Sequence, residues 1–278
     1  MTQLYNFDDL QQDYINSHID IAQYQSLNEE ARLEKAYHDS MRLAEEFKHA
    51  QLGSLGGLSP FAFFDSMPTL SLVEEYIAYF HQYESAPDVL NDVLTQRKDC
   101  EEELLHIVED EYRDIALRMN TIALLEDMES SLPVAYYVRL QCERAQEDEL
   151  ADRAFEALRS LPEEQVEALL EEAFDRANQA GKDTMLEVLA KPGCAEAVFE
   201  YALRRYAAAK RKEIYAYYLG RMENEAALPV LQEAVQSGAL DYIDYMETRV
   251  AIERLGGICE EIDYSKDPVY KQVHNHNN

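Results

Sequence analysis

Arg204, Arg205, Lys210, Arg211 and Lys212 form a dense positive cluster in a chain with 25 basic and 55 acidic side chains. At 100° per residue along a continuous helix, Tyr201, Arg204, Arg205, Arg211, Lys212 and Tyr215 share an arc of about 120°. A cationic face edged by tyrosines has the chemistry to hold a phosphate, a nucleic-acid backbone or an acidic peptide. Phe199, Leu203, Tyr206, Ile214 and Tyr217 fall on the other side and are expected in the core. Lys210 also falls there, so the same residues equally fit a helix break near 209. The cations would then cap a helix C-terminus or neutralise the chain's own acidic helices.

A second pattern has metal-ligand types. Glu46-Phe-Lys-His49 and Glu103-Leu-Leu-His106 are both Glu-x-x-His. Two such pairs on separate helices, with glutamates from two more such as Glu75 and Glu109, would make the di-iron-like site of a helical bundle. The surroundings argue for solvated faces instead, since Glu103 sits in Asp99-Cys-Glu-Glu-Glu. Ala180-Gly-Lys-Asp-Thr184 lacks the first glycine and the hydroxyl residue of a phosphate loop, and its context is helical. The Gly53, Gly56 and Gly57 cluster has no strand before it, as a dinucleotide fingerprint requires. No Gly-x-Ser-x-Gly elbow occurs, and Cys100, Cys142, Cys194 and Cys259 are too scattered for a metal clip or redox pair. The expectation is a protein without cofactor and, on balance, without catalysis.

The net charge of −30 weighs against nucleic acid as a general partner, because phosphate attraction needs Lys and Arg. It weighs equally against docking on an anionic membrane. An acidic decoy that mimics DNA is the sharper alternative to a plainly charged surface. The charge is uneven: residues 1–150 hold 10 basic and 31 acidic side chains, the remainder 15 and 24. Isolated cysteines suit the reducing cytoplasm. The start, Met1-Thr-Gln-Leu-Tyr-Asn, lacks the basic and apolar regions of a signal peptide. No stretch reaches the roughly 18 apolar residues of a membrane span.

The elements that must position these residues are helical. Hydrophobic residues make up 47% of the chain, Gly and Pro number only 9 and 8, and no run alternates as a β-strand does. Helices are expected over 7–24 and 27–51, the second with Leu33, Ala36, Tyr37, Met41, Ala44 and Phe47 on one side. Residues 52–70, with three glycines and two prolines, read as a loop or hinge. Phe61, Phe63 and Phe64 inside it either plug the core or form a partner-docking knob. Ser71 with Glu74 fits a capping box for a helix to about Tyr83. Residues 88–128 contain no Gly or Pro and read as one helix, with a stripe of Leu104, Val108, Tyr112, Ile115, Met119 and Ile122. Further helices are expected at 133–146, 150–158, 162–180 (closed by Gly181-Lys182), 185–189 and 195–219. The chain then divides into a helical region at 1–147, helix pairs at 148–262 and a polar tail at 263–278.

The segment Leu219-Gly220-Arg221, the acidic turn Glu223-Asn224-Glu225 and Ala227-Leu228-Pro229-Val230-Leu231 carry a family likeness, echoed at Leu255-Gly256-Gly257. Gly220 and Gly256 are placed to close helices in the left-handed conformation. Pro229 fits a first helical turn, and Leu228, Leu231 and Val235 make an apolar stripe. Over residues 211–257 the chain resembles the short bacterial HEAT-like repeats. The resemblance implies an all-α fold in which helix pairs stack as a right-handed α-α superhelix, with additional N-terminal helices. HEAT-like enzymes are poor matches. The deoxyhypusine hydroxylases bind iron through His-Glu pairs, and this chain has no His-Glu dipeptide. The alkylpurine DNA glycosylases use tryptophans and a basic face, and this chain has no Trp. No active-site residue of the bilin lyases can be matched. The implied function is a cytoplasmic scaffold for a protein or peptide partner. Anion or nucleic-acid binding at 204–212 and a metal site at the Glu-x-x-His pairs are the alternatives.

Overall fold

A computed structural model describes residues 4–24 and 27–275, and every regular element among them is helical. Contacts divide the chain into two compact units, Met1–Tyr136 and Tyr137–Asn278. The expected boundary near 147 compares with a division between Tyr136 and Tyr137, inside a helix.

The first unit contains α1 (Phe7–His18), α2 (Glu29–His49), α3 (Pro60–Asp65), α4 (Thr69–Tyr83), α5 (Asp88–Gln96), α6 (Glu101–Glu109) and α7 (Ile115–Asp127), and it reaches into α8 (Val134–Glu143). Short polar side chains open several of them. Asn6, Asn28, Ser59 and Asp114 each accept a backbone N–H of the first turn, and Pro60 takes a position where a missing N–H costs nothing. An aromatic cluster forms part of the core: Phe64 is fully buried, with its ring 4.8 Å from Phe7 and 6.2 Å from Tyr79. Residues 52–70 are therefore only in part the expected loop. A 3-10 turn at Gly53–Leu55 and α3 organise them, and Phe64 is the plug while Phe61 and Phe63 stay half-buried.

Three expectations for this unit are corrected. α4 begins at Thr69, so Ser71 lies inside the first turn and does not cap it. The 88–128 helix is three helices. Asp110 accepts from Tyr112 N at 3.0 Å, and Asp114 accepts from Ala116 N at 2.8 Å, so two aspartates offer the backbone a turn and a fresh start. Leu104, Val108 and Ile122 are buried, but Tyr112 in the turn is fully exposed. On α2, of the six residues expected on the inward side only Phe47 is buried.

The second unit contains α9 (Glu149–Arg159), α10 (Glu163–Phe174), α11 (Gln179–Leu189), α12 (Glu196–Ala208), α13 (Glu213–Arg221), α14 (Leu228–Gln236), α15 (Tyr242–Arg254) and α16 (Pro268–Asn275). The expected 162–180 helix splits, because Asn178 caps α11 through Gly181 N; Gly181 starts a helix rather than closing one. The expected 195–219 helix breaks at 209–212, the alternative that Lys210 had suggested. Phe199 and Tyr206 are core as expected, whereas Ile214 and Tyr217 are each 45% exposed. Gly256 does close α15 at φ 79°, but Gly220 lies within α13. A Cβ at Gly220 would sit 3.1 Å from Ala251 Cα, so glycine here permits a close crossing of α13 and α15. Basic side chains lie at or just beyond the end of the first helix of successive pairs, Arg159, Lys191, Arg221 and Arg254, at intervals of roughly 30 residues. The expected polar tail carries α16; residues 276–278 lie outside the described residues.

Candidate interaction surfaces

The break at 209–212 redistributes the six residues of the basic cluster. Tyr201, Arg205 and Tyr215 come together around Asp183 of α11. Arg205 forks onto that carboxylate, Nε donating to Oδ1 at 3.0 Å and Nη2 to Oδ2 at 2.8 Å. The same guanidinium donates to the Tyr215 hydroxyl at 2.6 Å and lies over the Tyr215 ring. The Tyr201 hydroxyl donates to Asp183 Oδ1 at 2.8 Å. Burial pushes the Tyr201 and Tyr215 hydroxyls above their ordinary range. Burial opposes the Arg205 charge, and the Asp183 and Tyr215 contacts together outweigh it. Asp183 is the residue sequence reasoning missed, and its only local signal was an acid in a would-be phosphate loop.

The remaining cations do other work. Lys212 Nζ donates to the carbonyls of Tyr206, Ala207 and Ala209, closing the C-terminus of α12. Arg211 pairs with Glu213 at 2.6 Å, and Arg204 lies 4.0 Å from Glu200, both at solvent. Arg205 thus braces α11, α12 and α13. Replacing it with alanine is expected to lower stability by about 2 kcal/mol in a urea titration, since a half-buried carboxylate loses a forked partner. Lysine should recover only part of this, because one ammonium cannot reproduce the fork. Arg204→Ala should stay within ~0.5 kcal/mol.

The Glu-x-x-His pairs lie on α2 and α6. Glu46 is engaged by Arg42 at 2.6 Å, His49 packs against the Phe61 ring, and His106 is exposed 3.7 Å from Glu103. Among the described residues, no three His, Cys, Asp or Glu side chains gather in a metal-binding arrangement. Burial pushes all four thiols up, Cys100 to about 11, which disfavours the thiolate a nucleophile needs.

Two apolar features of the first unit face solvent. On α2, Leu33, Tyr37 and Met41 are 68%, 64% and 57% exposed. They recur every four residues and so form one row, and no residue from Glu29 to Arg42 is buried. Further along, a cleft of 740 Å³ runs beside α4. Its apolar wall is Tyr5, Phe63 and Met67, and its α4 side carries Glu74, Glu75 and Ala78. The Tyr79 hydroxyl donates to Tyr5 O at 2.8 Å, and Tyr5 meets Phe63 edge-on at 5.6 Å, which holds that wall in place. In the second unit a cleft of 490 Å³ lies beside Asp183, lined mainly by polar groups.

No protein-family model matches the chain, and neither a curated protein nor a solved structure matches it. No helix among the described residues is long and apolar enough to cross a membrane.

Proposed function

We propose that the protein is a non-catalytic cytoplasmic scaffold whose helices present a surface to a protein or peptide partner. The observation that carries this reading is the row Leu33, Tyr37 and Met41 on α2. A helix that folds onto its own domain turns such a row inward. Here no residue in the first half of α2 is buried, and the row remains available to an anchor-seeking partner. Acidic neighbours Glu30 and Glu34 would set the polar rim around it. Four free cysteines fit a reducing compartment.

The second unit is read as HEAT-like, a right-handed superhelix over 148–262. The helix-end cations at similar intervals and the close α13–α15 crossing at Gly220 support that reading.

Affinity capture from a lysate tests the function. The wild-type chain is expected to return a partner at reproducible stoichiometry. The triple variant Leu33→Ser, Tyr37→Ser, Met41→Ser is expected to lose it while unfolding within ~0.5 kcal/mol of wild type, because the replaced groups are exposed. Recovery of the same partner by both chains, or of none by either, would count against the reading.

A further inference from the structure

The cleft beside α4 has a lip whose charge is not balanced from within the molecule. Glu75 is half-buried in it and Glu74 stands next to it. Among the described residues neither has an ion-pair partner, although the chain pairs many of its other carboxylates with Lys or Arg. Taking a carboxylate out of water without a cation is unfavourable. Burial accordingly pushes the Glu75 carboxyl above its ordinary value, with no opposing charge to hold it down. Tyr5, Phe63 and Met67 line the same cleft, an aromatic and thioether surface that adapts to apolar side chains. The α4 residues on the cleft run from Ser71 to Gln82, about 16 Å of helix. That length accepts some three turns of a partner helix laid alongside, with anchors spaced by three and four.

We infer that this cleft is a docking groove for a basic amphipathic helix of a partner protein, its apolar face against Tyr5, Phe63 and Met67 and a Lys or Arg on Glu75. The inference rests on the scaffold reading and adds the partner's chemistry to it. Charge complementarity selects this occupant. An acidic segment would meet Glu74 and Glu75 unpaired, and a purely apolar one would leave Glu75 half-buried without a counter-charge. Residues 1–136 hold 8 basic and 27 acidic side chains, so the field around the groove also steers a cationic segment toward it.

The test is a fluorescence-anisotropy titration of the full chain with a labelled Leu/Lys amphipathic helical peptide of about four turns, and with its Leu/Glu counterpart. The Leu/Lys peptide should bind saturably and the Leu/Glu peptide should not. Glu75→Gln should weaken binding about tenfold, the loss of one desolvated charge contact. Ala78→Trp should weaken it at least as much by filling the groove without changing charge, with circular dichroism confirming the fold. Glu103→Gln, remote in sequence on α6, should leave affinity within about twofold. If Glu75→Gln and Glu103→Gln weaken binding equally while Ala78→Trp has no effect, the peptide is held by diffuse charge and the groove proposal is overturned. If affinity is lost only in the α2 triple variant, the peptide sits on α2; the groove then fails and the scaffold reading survives. If no variant matters because wild type does not bind, the groove fails, and the scaffold reading remains to be judged by capture alone.

Discussion

Gly181→Ala lowers the stability of the second unit by about 3 kcal/mol, read as an earlier midpoint in a urea titration. The sign is the informative part. In an ordinary helix interior the same change stabilises by nearly 1 kcal/mol, because alanine is the better helix former. Gly181 lies in the first turn of α11, and a methyl group there would run into the backbone carbonyl oxygen of Gln141. That carbonyl belongs to the end of α8, which α11 meets backbone to backbone. Asn178 N donates to Cys142 O at 2.8 Å, and Asn178 Nδ2 donates to Arg144 O at 2.8 Å. Gln141 is itself fully buried, with Nε2 donating to Ala151 O at 2.7 Å. Making room for the methyl therefore means separating two helix ends that satisfy each other's free polar groups. A stabilising or neutral Gly181→Ala would show that the two backbones are not in this contact.

The second large effect is at Asp244, in the first turn of α15 and 4% exposed. Its Oδ1 accepts from Lys212 N at 2.6 Å and from Glu213 N at 2.9 Å, so it caps α13 from a different helix. α13 has no side-chain cap of its own. Asp244→Ala leaves both part-buried N–H groups without an acceptor and is expected to cost about 3 kcal/mol. Asp244→Asn should behave differently. The Glu213 carboxyl contacts Asp244, and its Oε2 has no hydrogen-bond donor. Asparagine keeps the capping oxygen and supplies an N–H toward Glu213, so stability at pH 7 should hold or rise by about 1 kcal/mol.

The pH response follows from the same site. Burial, followed by the Glu213 contact, pushes the Asp244 carboxyl above its ordinary value, while the two backbone N–H groups pull it down only in part. Arg211, on Glu213, and Lys212 are the cations nearby, and Tyr206 is the neighbouring phenol. A carboxyl raised in the folded state favours folding most below its unfolded value, about 4, and that contribution fades as pH rises through the folded value. In the first unit the sign reverses. The Arg97 hydrogen bond holds Asp99 down, and the Tyr24 hydroxyl holds Asp39 down. Their contributions are present above about pH 4 and fade as pH falls through the lower folded values. Hydrogen exchange on the full chain should show this Asp244 contribution strengthening in the second unit between pH 7 and pH 4, while the Asp39 and Asp99 contributions in the first hold over that range and weaken only below about pH 4. The Asp244→Asn variant should lose the first effect and keep the second. Identical pH profiles for wild type and Asp244→Asn would contradict this assignment.

The helical class of the fold was legible because it rests on composition and on a periodicity that no strand pattern opposes. Breaks with a proline or glycine signature were legible as well, as at Pro133 and at Pro192-Gly193. The breaks at 97–100 and 110–114 were not, because Asp99 at the first takes the Arg97 guanidinium and the Thr69 hydroxyl, Asp110 and Asp114 at the second take backbone N–H groups, and aspartates are everywhere in this sequence. Periodicity identified the apolar side of α2 but carries no information about what covers it; that Leu33, Tyr37 and Met41 face water is a tertiary fact. Gly220 illustrates the opposite confusion. Glycine after an apolar helix suits a left-handed end, and only the neighbouring Ala251 shows that small size, not conformational freedom, is what the position uses.

The candidate site was legible in its parts and not in its assembly. Tyr201, Arg205 and Tyr215 were picked out by type and spacing on one imagined helix. The structure joins them from two helices across the 209–212 break, through an aspartate more than 15 residues upstream of any of them. Charge pairing between distant segments leaves no periodic trace, so a basic cluster in an acidic chain reads as a ligand site until its internal partner is seen. The cleft beside α4 has the same character. It needs residues near the N-terminus, in α3 and along α4 to meet, and no single stretch of sequence contains it.

The central claim is that the solvent-facing row of α2 is where a partner is held. A photoreactive phenylalanine analogue at position 37, in place of Tyr37 and crosslinked in living cells, tests it directly. The expected result is one or a few discrete adducts of defined mass that vanish when Leu33 and Met41 are also changed to serine. The contradicting result is no adduct at position 37, or a smear that matches the pattern from the same analogue at Tyr112, which is fully exposed and lies in a turn outside the row.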